Sequence, residues 1–144
     1  MRVMGLDIGD KTIGVAVSDE LEISANPISV IRRTQNLKKD IGEIRRIVEE
    51  YEVELIVAGM PLMLDGTVGI QAQKVEEFVD ALRRRIRIPI VVSDERLSTA
   101  EVERMLIASD QSRAKRREVI DKLAAAVILQ SYLDRHRPSK DGAG

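Results

Sequence analysis

The chain has 144 residues, 44% of them hydrophobic and 33% charged, a composition that fits one globular domain and excludes a low-complexity chain. It has no cysteine, so disulfides, thiolate nucleophiles, iron–sulfur clusters and cysteine-ligated zinc are excluded together, and a reducing compartment fits. Net charge is −1, from 24 acids and 23 bases, so the overall field gives no argument for a polyanionic partner.

Residues 1–33 alternate short apolar runs with turn chemistry, which predicts three strands in close succession. The first covers 2–8, Gly9-Asp10 turns the chain, the second covers 12–18, and the third runs over about 24–31, with Pro27 marking an irregular or edge position. Leu37, Ile41, Ile44, Val48 and Tyr51 recur at helical spacing and form one apolar stripe. A buried strand is predicted over 54–58, ended by Gly59-Met-Pro61, and a loop over 61–69. A second helix reaches about Ile86, with Val75, Phe78, Val79, Leu82 and Ile86 inward, and a last strand covers 89–93. Ser98 to Glu101 reads as a capping box with Leu97 and Val102 as its staple, so another helix is predicted there. The stretch 109–117 has no apolar period and is predicted as a basic loop, followed by a final helix over about 118–135 and a frayed tail over 136–144.

Strand–helix–strand units require parallel crossovers, whereas the first three strands are close enough to pair as an antiparallel meander. The expectation is a single domain over 1–135 with a mixed sheet and helices on both faces, an α/β sandwich of the ribonuclease H type. The longest apolar run, 123–129, falls far short of the roughly 18 residues of a membrane span, and Asp7 interrupts the stretch a signal peptide would need. A cytoplasmic protein with no membrane partner is expected.

Three acidic positions are costly for a purely structural reading. Asp7 lies inside an apolar strand, Asp94 or Glu95 lies at the mouth of another, and Asp121 heads a helical column with Ala125, Ile128 and Tyr132. Sites in open α/β sheets form at strand carboxyl ends, so these acids can converge if the strands of Asp7 and Asp94-Glu95 are parallel neighbours. Clustered carboxylates need a cation, and Mg²⁺ or Mn²⁺ is the hard ion they select. The chemistry such a site suggests is metal-dependent phosphodiester hydrolysis. The structural alternatives are a turn-forming acid beside Gly9 for Asp7, and charges that complement helix N-termini for the others.

The bases gather in the second half: residues 73–144 carry 15 Lys and Arg against 12 acids, and residues 1–72 carry 8 against 12. One cluster is Arg83, Arg84, Arg85 and Arg87, for which complementing a helix C-terminus is the simplest role. The other is Arg113, Lys115, Arg116 and Arg117, expected to grip a substrate backbone. The only aromatic residues are Tyr51, Phe78 and Tyr132, so any nucleic acid would be held by backbone and shape rather than by stacking.

Gly5-Leu-Asp-Ile-Gly-Asp-Lys11, Ile13-Gly-Val-Ala-Val-Ser-Asp19, Gly59-Met-Pro-Leu62, Asp65-Gly-Thr67, Asp94-Glu-Arg-Leu-Ser-Thr99 and Asp121-Lys-Leu-Ala-Ala125, in that order, resemble the YqgF family of Holliday-junction-resolvase-like pre-16S rRNA nucleases. The resemblance implies a ribonuclease H fold and a divalent-metal site of Asp7, Glu95 rather than Asp94, and Asp121. It also implies maturation of the 5′ end of small-subunit ribosomal RNA, with cleavage of branched DNA as the other inference. Lys11 and Arg96 are expected to contact phosphate or brace the carboxylates. Thr12 stands where the family usually has arginine and Met63 where it usually has asparagine, which puts substrate contacts there in question but removes no metal ligand. Structured RNA is the favoured partner, branched DNA the second, and the acting species a monomer or homodimer.

Two other classes compete. The run Asp7 to Lys11 also looks like the phosphate loop of the actin and sugar-kinase superfamily, but 144 residues supply one such domain where that class closes two over a nucleotide. A non-catalytic nucleic-acid-binding module would bind without turnover.

Overall fold

The structure is a computed structural model that describes residues 1–61, 69–94 and 113–136, with the side chains of 113–121 outside that description. Its order is β1 (Arg2–Ile8), β2 (Thr12–Ser18), β3 (Ala25–Arg32), α1 (Leu37–Glu50), β4 (Val53–Met60), α2 (Ile70–Arg85), β5 (Ile90–Asp94) and α3 (Arg113–His136). The strands form one sheet in the order β3-β2-β1-β4-β5. β1 pairs antiparallel with β2, β2 antiparallel with β3, and β1–β4 and β4–β5 are parallel. The expected mixed sheet, a meander followed by parallel strands, is what these sequences build.

β1 is central and covered on both faces, which is why its run is apolar throughout rather than alternating. Its side chains nevertheless divide by parity. Met4, Leu6 and Ile8 join Ile13, Val15, Ile56 and Ala58 against α1 and α2, whose Ile41, Ile44, Ile47, Val75, Val79 and Leu82 complete the larger core. Val3 joins Ala16 and Val57 under α3, against Ala125, Ile128, Leu129 and Leu133. Gly5 permits that second packing, because a Cβ there would stand 2.7 Å from the Leu129 Cβ and 2.8 Å from the Ala125 carbonyl oxygen.

Local chemistry fixes the connections. Gly9 N–H donates to the Thr12 carbonyl at 2.9 Å and closes the β1–β2 turn. In the β2–β3 connection the Asp19 carboxylate accepts from the N–H groups of Ile23 at 2.8 Å and Ser24 at 3.2 Å. These bonds hold its carboxyl below the ordinary value. Pro27, which cannot donate to a ladder, sits on edge strand β3 where the β2 register shifts between Val15 and Ala16. Asn36 caps α1 by accepting from Lys39 N–H, and buried Asp40 accepts from Thr34 N–H at 3.0 Å and from its hydroxyl at 2.9 Å.

Three expectations change. β4 runs on through Gly59 and Met60, which pair with Ser93 and Asp94, because a Gly-Met pair before a proline can still extend a buried ladder. The segment 113–117 is not a loop: α3 begins at Arg113, five residues before the predicted start. Arg, Ala, Lys and Glu are good helix formers, and apolar periodicity marks only the part of a helix that is buried. Asp121 is therefore the ninth residue of α3 rather than a first-turn acid, and complementing the helix dipole does not account for it. His136 belongs to α3 and stacks on Tyr132, with ring centroids 4.0 Å apart, instead of starting the tail. The capping box at 98–101, the loop residues 62–68 and the tail at 137–144 lie outside the described residues. Among the described residues no helix is long and apolar enough to cross a membrane.

Candidate nucleic-acid-cleaving site

The parallel strands β1, β4 and β5 bring their carboxyl ends to one edge of the sheet, where open α/β sheets place their sites. Asp7 is the next-to-last residue of β1 and is half-buried between fully buried Leu6 and nearly buried Ile8. It has the parity of Val3 and Gly5, so it belongs to the face that α3 covers. Its partner on β2 is Gly14, and one step beyond the Leu6–Ala58 pair on the β4 side is Gly59. Both of these directly flanking positions are glycine, so neither puts a Cβ beside its carboxylate.

β5 is parallel to β1 but is not its neighbour, since β4 lies between them, so the condition for direct convergence is met in direction and not in adjacency. Two strand spacings amount to about 10 Å. Ser93, buried, shares the face of Val91 and so of Asp7, and pairs with Gly59. Asp94, the last residue of β5, is exposed and has the opposite parity, that of Ile90, which packs in the α1–α2 core. Of the acidic pair at this mouth, Asp94 is thus turned from Asp7, and Glu95 lies outside the described residues, as does Arg96.

Asp121 lies in α3, and its side chain is outside the described residues, as are those of Arg113, Lys115, Arg116 and Arg117. The helix backbone carries information of its own. Ala125 and Leu129 lie against Gly5, and Gln130 bonds the start of β3, accepting from Ala25 N–H at 2.9 Å and donating to the Ile23 carbonyl at 2.8 Å. The start of β3 lies beside the end of β2 and hence level with the start of β1. The helix therefore runs down β1, and the turn before Ala125, which contains Asp121, is offset toward the end of β1 that carries Asp7. Among the described residues no group of three acids or histidines is in place to hold a metal ion. Asp7 is the one expected carboxylate whose side chain can be placed on this face.

The turn after Asp7 is pinned by a residue that sequence reasoning missed. Arg33 donates to the Gly9 carbonyl at 2.7 Å, its guanidinium lies 4.9 Å from the centroid of the Phe78 ring, and its N–H donates to the Lys11 carbonyl at 2.8 Å. It thereby ties the Gly9–Lys11 turn to β3 and α2, with Lys11 exposed and Asp10 paired to Lys74 at 3.4 Å. Arg135 and Ser93 form a second such tie, the guanidinium of α3 donating to the hydroxyl of β5. Neither arginine has a sequence signal, since each acts through contacts that only the fold creates.

The family described as "RuvX: Holliday junction resolvase" matches residues 1–135. A protein of Desulforamulus reducens named "Putative pre-16S rRNA nuclease" is 54% identical over 134 residues, covering 93% of this chain and 97% of that protein. Proteins of the same name from Thermoanaerobacter pseudethanolicus and Desulforudis audaxviator are 55% identical over 135 residues and 48% identical over 141, covering 96% and 99% of those proteins and 93% and 98% of this chain. Among solved structures, Thermus thermophilus RuvC in complex with a Holliday junction substrate superposes with a TM-score of 0.54 at 16% identity, covering 95% of this chain and 96% of that one. That likeness shows the fold, a ribonuclease H-like one. With the order of the motifs, the sheet that they build and the near-complete overlap with these relatives, the chain belongs to the RuvX family of Holliday-junction-resolvase-like proteins.

Proposed function

We propose that this chain is a divalent-metal-dependent endonuclease of the cytoplasm that cuts structured RNA, with maturation of the 5′ end of precursor 16S ribosomal RNA as its reaction. The observation that carries the reading is the placement of Asp7: a half-buried carboxylate on the central strand, between two glycines, on the face toward the helix that contains Asp121. The names of the full-length relatives support the substrate.

Carboxylate oxygens are the donors that Mg²⁺ and Mn²⁺ prefer, so the acidic set fits such ions, with Asp7, Glu95 and Asp121 as the residues that would hold them. Bound there, they would supply charge stabilisation to the attacking and leaving oxygens of a phosphodiester. The chain itself supplies position. Gly59, on the strand between β1 and β5, adds no side chain of its own to the gap of about 10 Å that the acids would bridge. The parity of Asp94 favours Glu95 over Asp94 as the second acid. Lys11, held exposed on its pinned turn, and Arg96 are the residues proposed to meet substrate phosphate. Arg113, Lys115, Arg116 and Arg117 open α3, where the positive end of the helix dipole adds to their charge, and they are proposed to hold the substrate backbone.

The description of the family gives four-way DNA as the second reading, and one experiment addresses both. Native protein and Asp7→Asn are incubated with precursor ribosomal RNA and with a four-way DNA junction, in Mg²⁺ and in Mn²⁺. Native protein is expected to cut the RNA, and Asp7→Asn to lose cleavage and any metal-dependent rise in melting temperature while melting as native without metal. Equal cutting by the two proteins would refute the site, and cutting of the junction alone would move the assignment to DNA.

A further inference from the structure

The remaining basic cluster forms a built cleft. α1 and α2 lie on the face of the sheet opposite α3 and end together at the amino ends of the parallel strands, away from Asp7. Between their last turns is a cleft of about 820 Å³ lined by Arg45, Arg83, Arg84, Arg85 and Arg87, with Glu49 as its one carboxylate. Its shape is fixed from within: Arg45 of α1 donates to the Arg85 carbonyl, joining the two helices, and Arg83 donates to the Ile90 carbonyl at 2.8 Å, joining α2 to β5. Buried Ile86 anchors the connector between them.

Complementing helix dipoles does not consume this charge. Two helix C-termini present about half a negative charge each. Glu49 adds one, and Asp80 engages Arg83 at 3.6 Å. Five guanidinium groups against these leave a surplus of about two positive charges. The surplus is carried by Arg84, Arg85 and Arg87, which are exposed and have no carboxylate partner among the described residues. Guanidinium groups are the side chains best suited to phosphate oxygens, and no aromatic residue lines the cleft for a base to stack on.

We infer that this cleft is a second nucleic-acid site, which binds the phosphate backbone of the RNA at a distance from the scissile bond. The inference rests on the proposed RNA-cutting reading and extends it to how the substrate is held. The 16 residues of α2 set a separation of about 24 Å from the Asp7 edge, well within the length of an RNA duplex of about 20 base pairs. The substrate would be gripped at both ends of the molecule and cut at one.

The test measures binding of a fluorescein-labelled RNA duplex of about 20 base pairs, long enough to span both places, as a function of salt in EDTA, so that no cutting occurs. Native protein is compared with Arg84→Gln/Arg87→Gln and with Lys38→Gln/Lys39→Gln, which removes equal charge at the other end of α1. A single Arg84→Gln variant and a melting curve for each protein guard against misfolding. The cleft variant is expected to lower the slope of log Kobs against log salt by about two and the single variant by about one, with the Lys38/Lys39 variant nearly native. An unchanged slope in the cleft variant, or an equal loss in the lysine variant, overturns the inference. Cleavage by each protein in Mn²⁺ separates the two readings. A native protein that cuts RNA while the cleft variant keeps its slope sinks the cleft alone, whereas a lowered slope with no cutting by native protein leaves the cleft standing and sinks the nuclease reading.

Discussion

Replacing Gly5 by alanine tests both the packing and the site. The added methyl would stand 2.7 Å from the Leu129 Cβ and 2.8 Å from the Ala125 carbonyl oxygen, whereas ordinary contact begins at 3.4 Å. Neither obstacle is the free end of a flexible side chain, so α3 must withdraw from β1 by about 0.7 Å. Overpacking of this kind costs about 1–3 kcal/mol, offset in part by the roughly 0.5–1 kcal/mol that a strand gains when glycine is replaced. The net of about 0–2.5 kcal/mol is a fall in Tm of up to about 10 °C for a domain of this size. The larger effect is on chemistry, because Asp7 stays with β1 while Asp121 moves with α3, and a misplacement near 1 Å can cost about a hundredfold in rate. Gly5→Ala is therefore expected to lose between about tenfold and a hundredfold in RNA cleavage at a temperature where it remains folded, with Kd for RNA in EDTA little changed. Native cleavage together with a native or higher Tm would refute the reasoning, since it would mean that α3 is not seated on Gly5 or that its seating does not matter to the site.

Gly42, exposed in α1 with nothing within 4 Å of the place a Cβ would take, is the opposite case. Gly42→Ala is expected to raise stability by about 0.5–1 kcal/mol and leave cleavage unchanged, and a lower Tm would contradict it. Asp40→Ala removes a buried carboxylate that binds Thr34 through both its N–H and its hydroxyl, and should cost about 1.5–3 kcal/mol in urea unfolding; a loss under about 0.5 kcal/mol would show that the bonds are replaced by water. Asp19 is held below its ordinary value of 3.8 by the N–H groups of Ile23 and Ser24, so the stability it contributes is fully present above that pH and is lost as pH falls through the lowered value. The stability difference between native protein and Asp19→Asn should accordingly shrink on acidification below about 3.8, and a difference independent of pH would refute the clasp.

β1 and β2 could be read to the residue because their apolar runs are bounded by turn chemistry at Gly9-Asp10 and Asp19, where local and tertiary preferences agree. The α1 stripe was legible for the same reason. What the sequence withheld is of two kinds. The start of α3 carries no apolar period in its sequence, so helix propensity had to be weighed without it. The insertion of β4 between β1 and β5 is a matter of strand order, which no local pattern encodes: right-handed crossovers constrain the hand of each connection but leave open which strand is central. For the site, Asp7 was visible as a charge in an apolar strand; spacing alone left Asp94 and Glu95 open, the family resemblance chose Glu95, and the direction in which β5 turns Asp94 agrees with that choice. Arg33 and the Arg45–Arg85 link were invisible, since each depends on a carbonyl brought close by the fold.

The sheet divides the interior unequally. Beneath α3 the described residues place Val3, Ala16, Val57 and four buried side chains of the helix, with Ala25, Leu55, Val91, Ala126 and Tyr132 packed beside them, whereas α1 and α2 share the larger layer. The two layers are separate clusters, so an excursion in which α3 lifts from the sheet would leave the α1–α2 layer closed. A substrate gripped between α1 and α2 would then stay bound through such an excursion while the cutting face came apart and reformed above it. Holding and release would have separate clocks, the first set by the thick side of the molecule and the second by the breathing of the thin one.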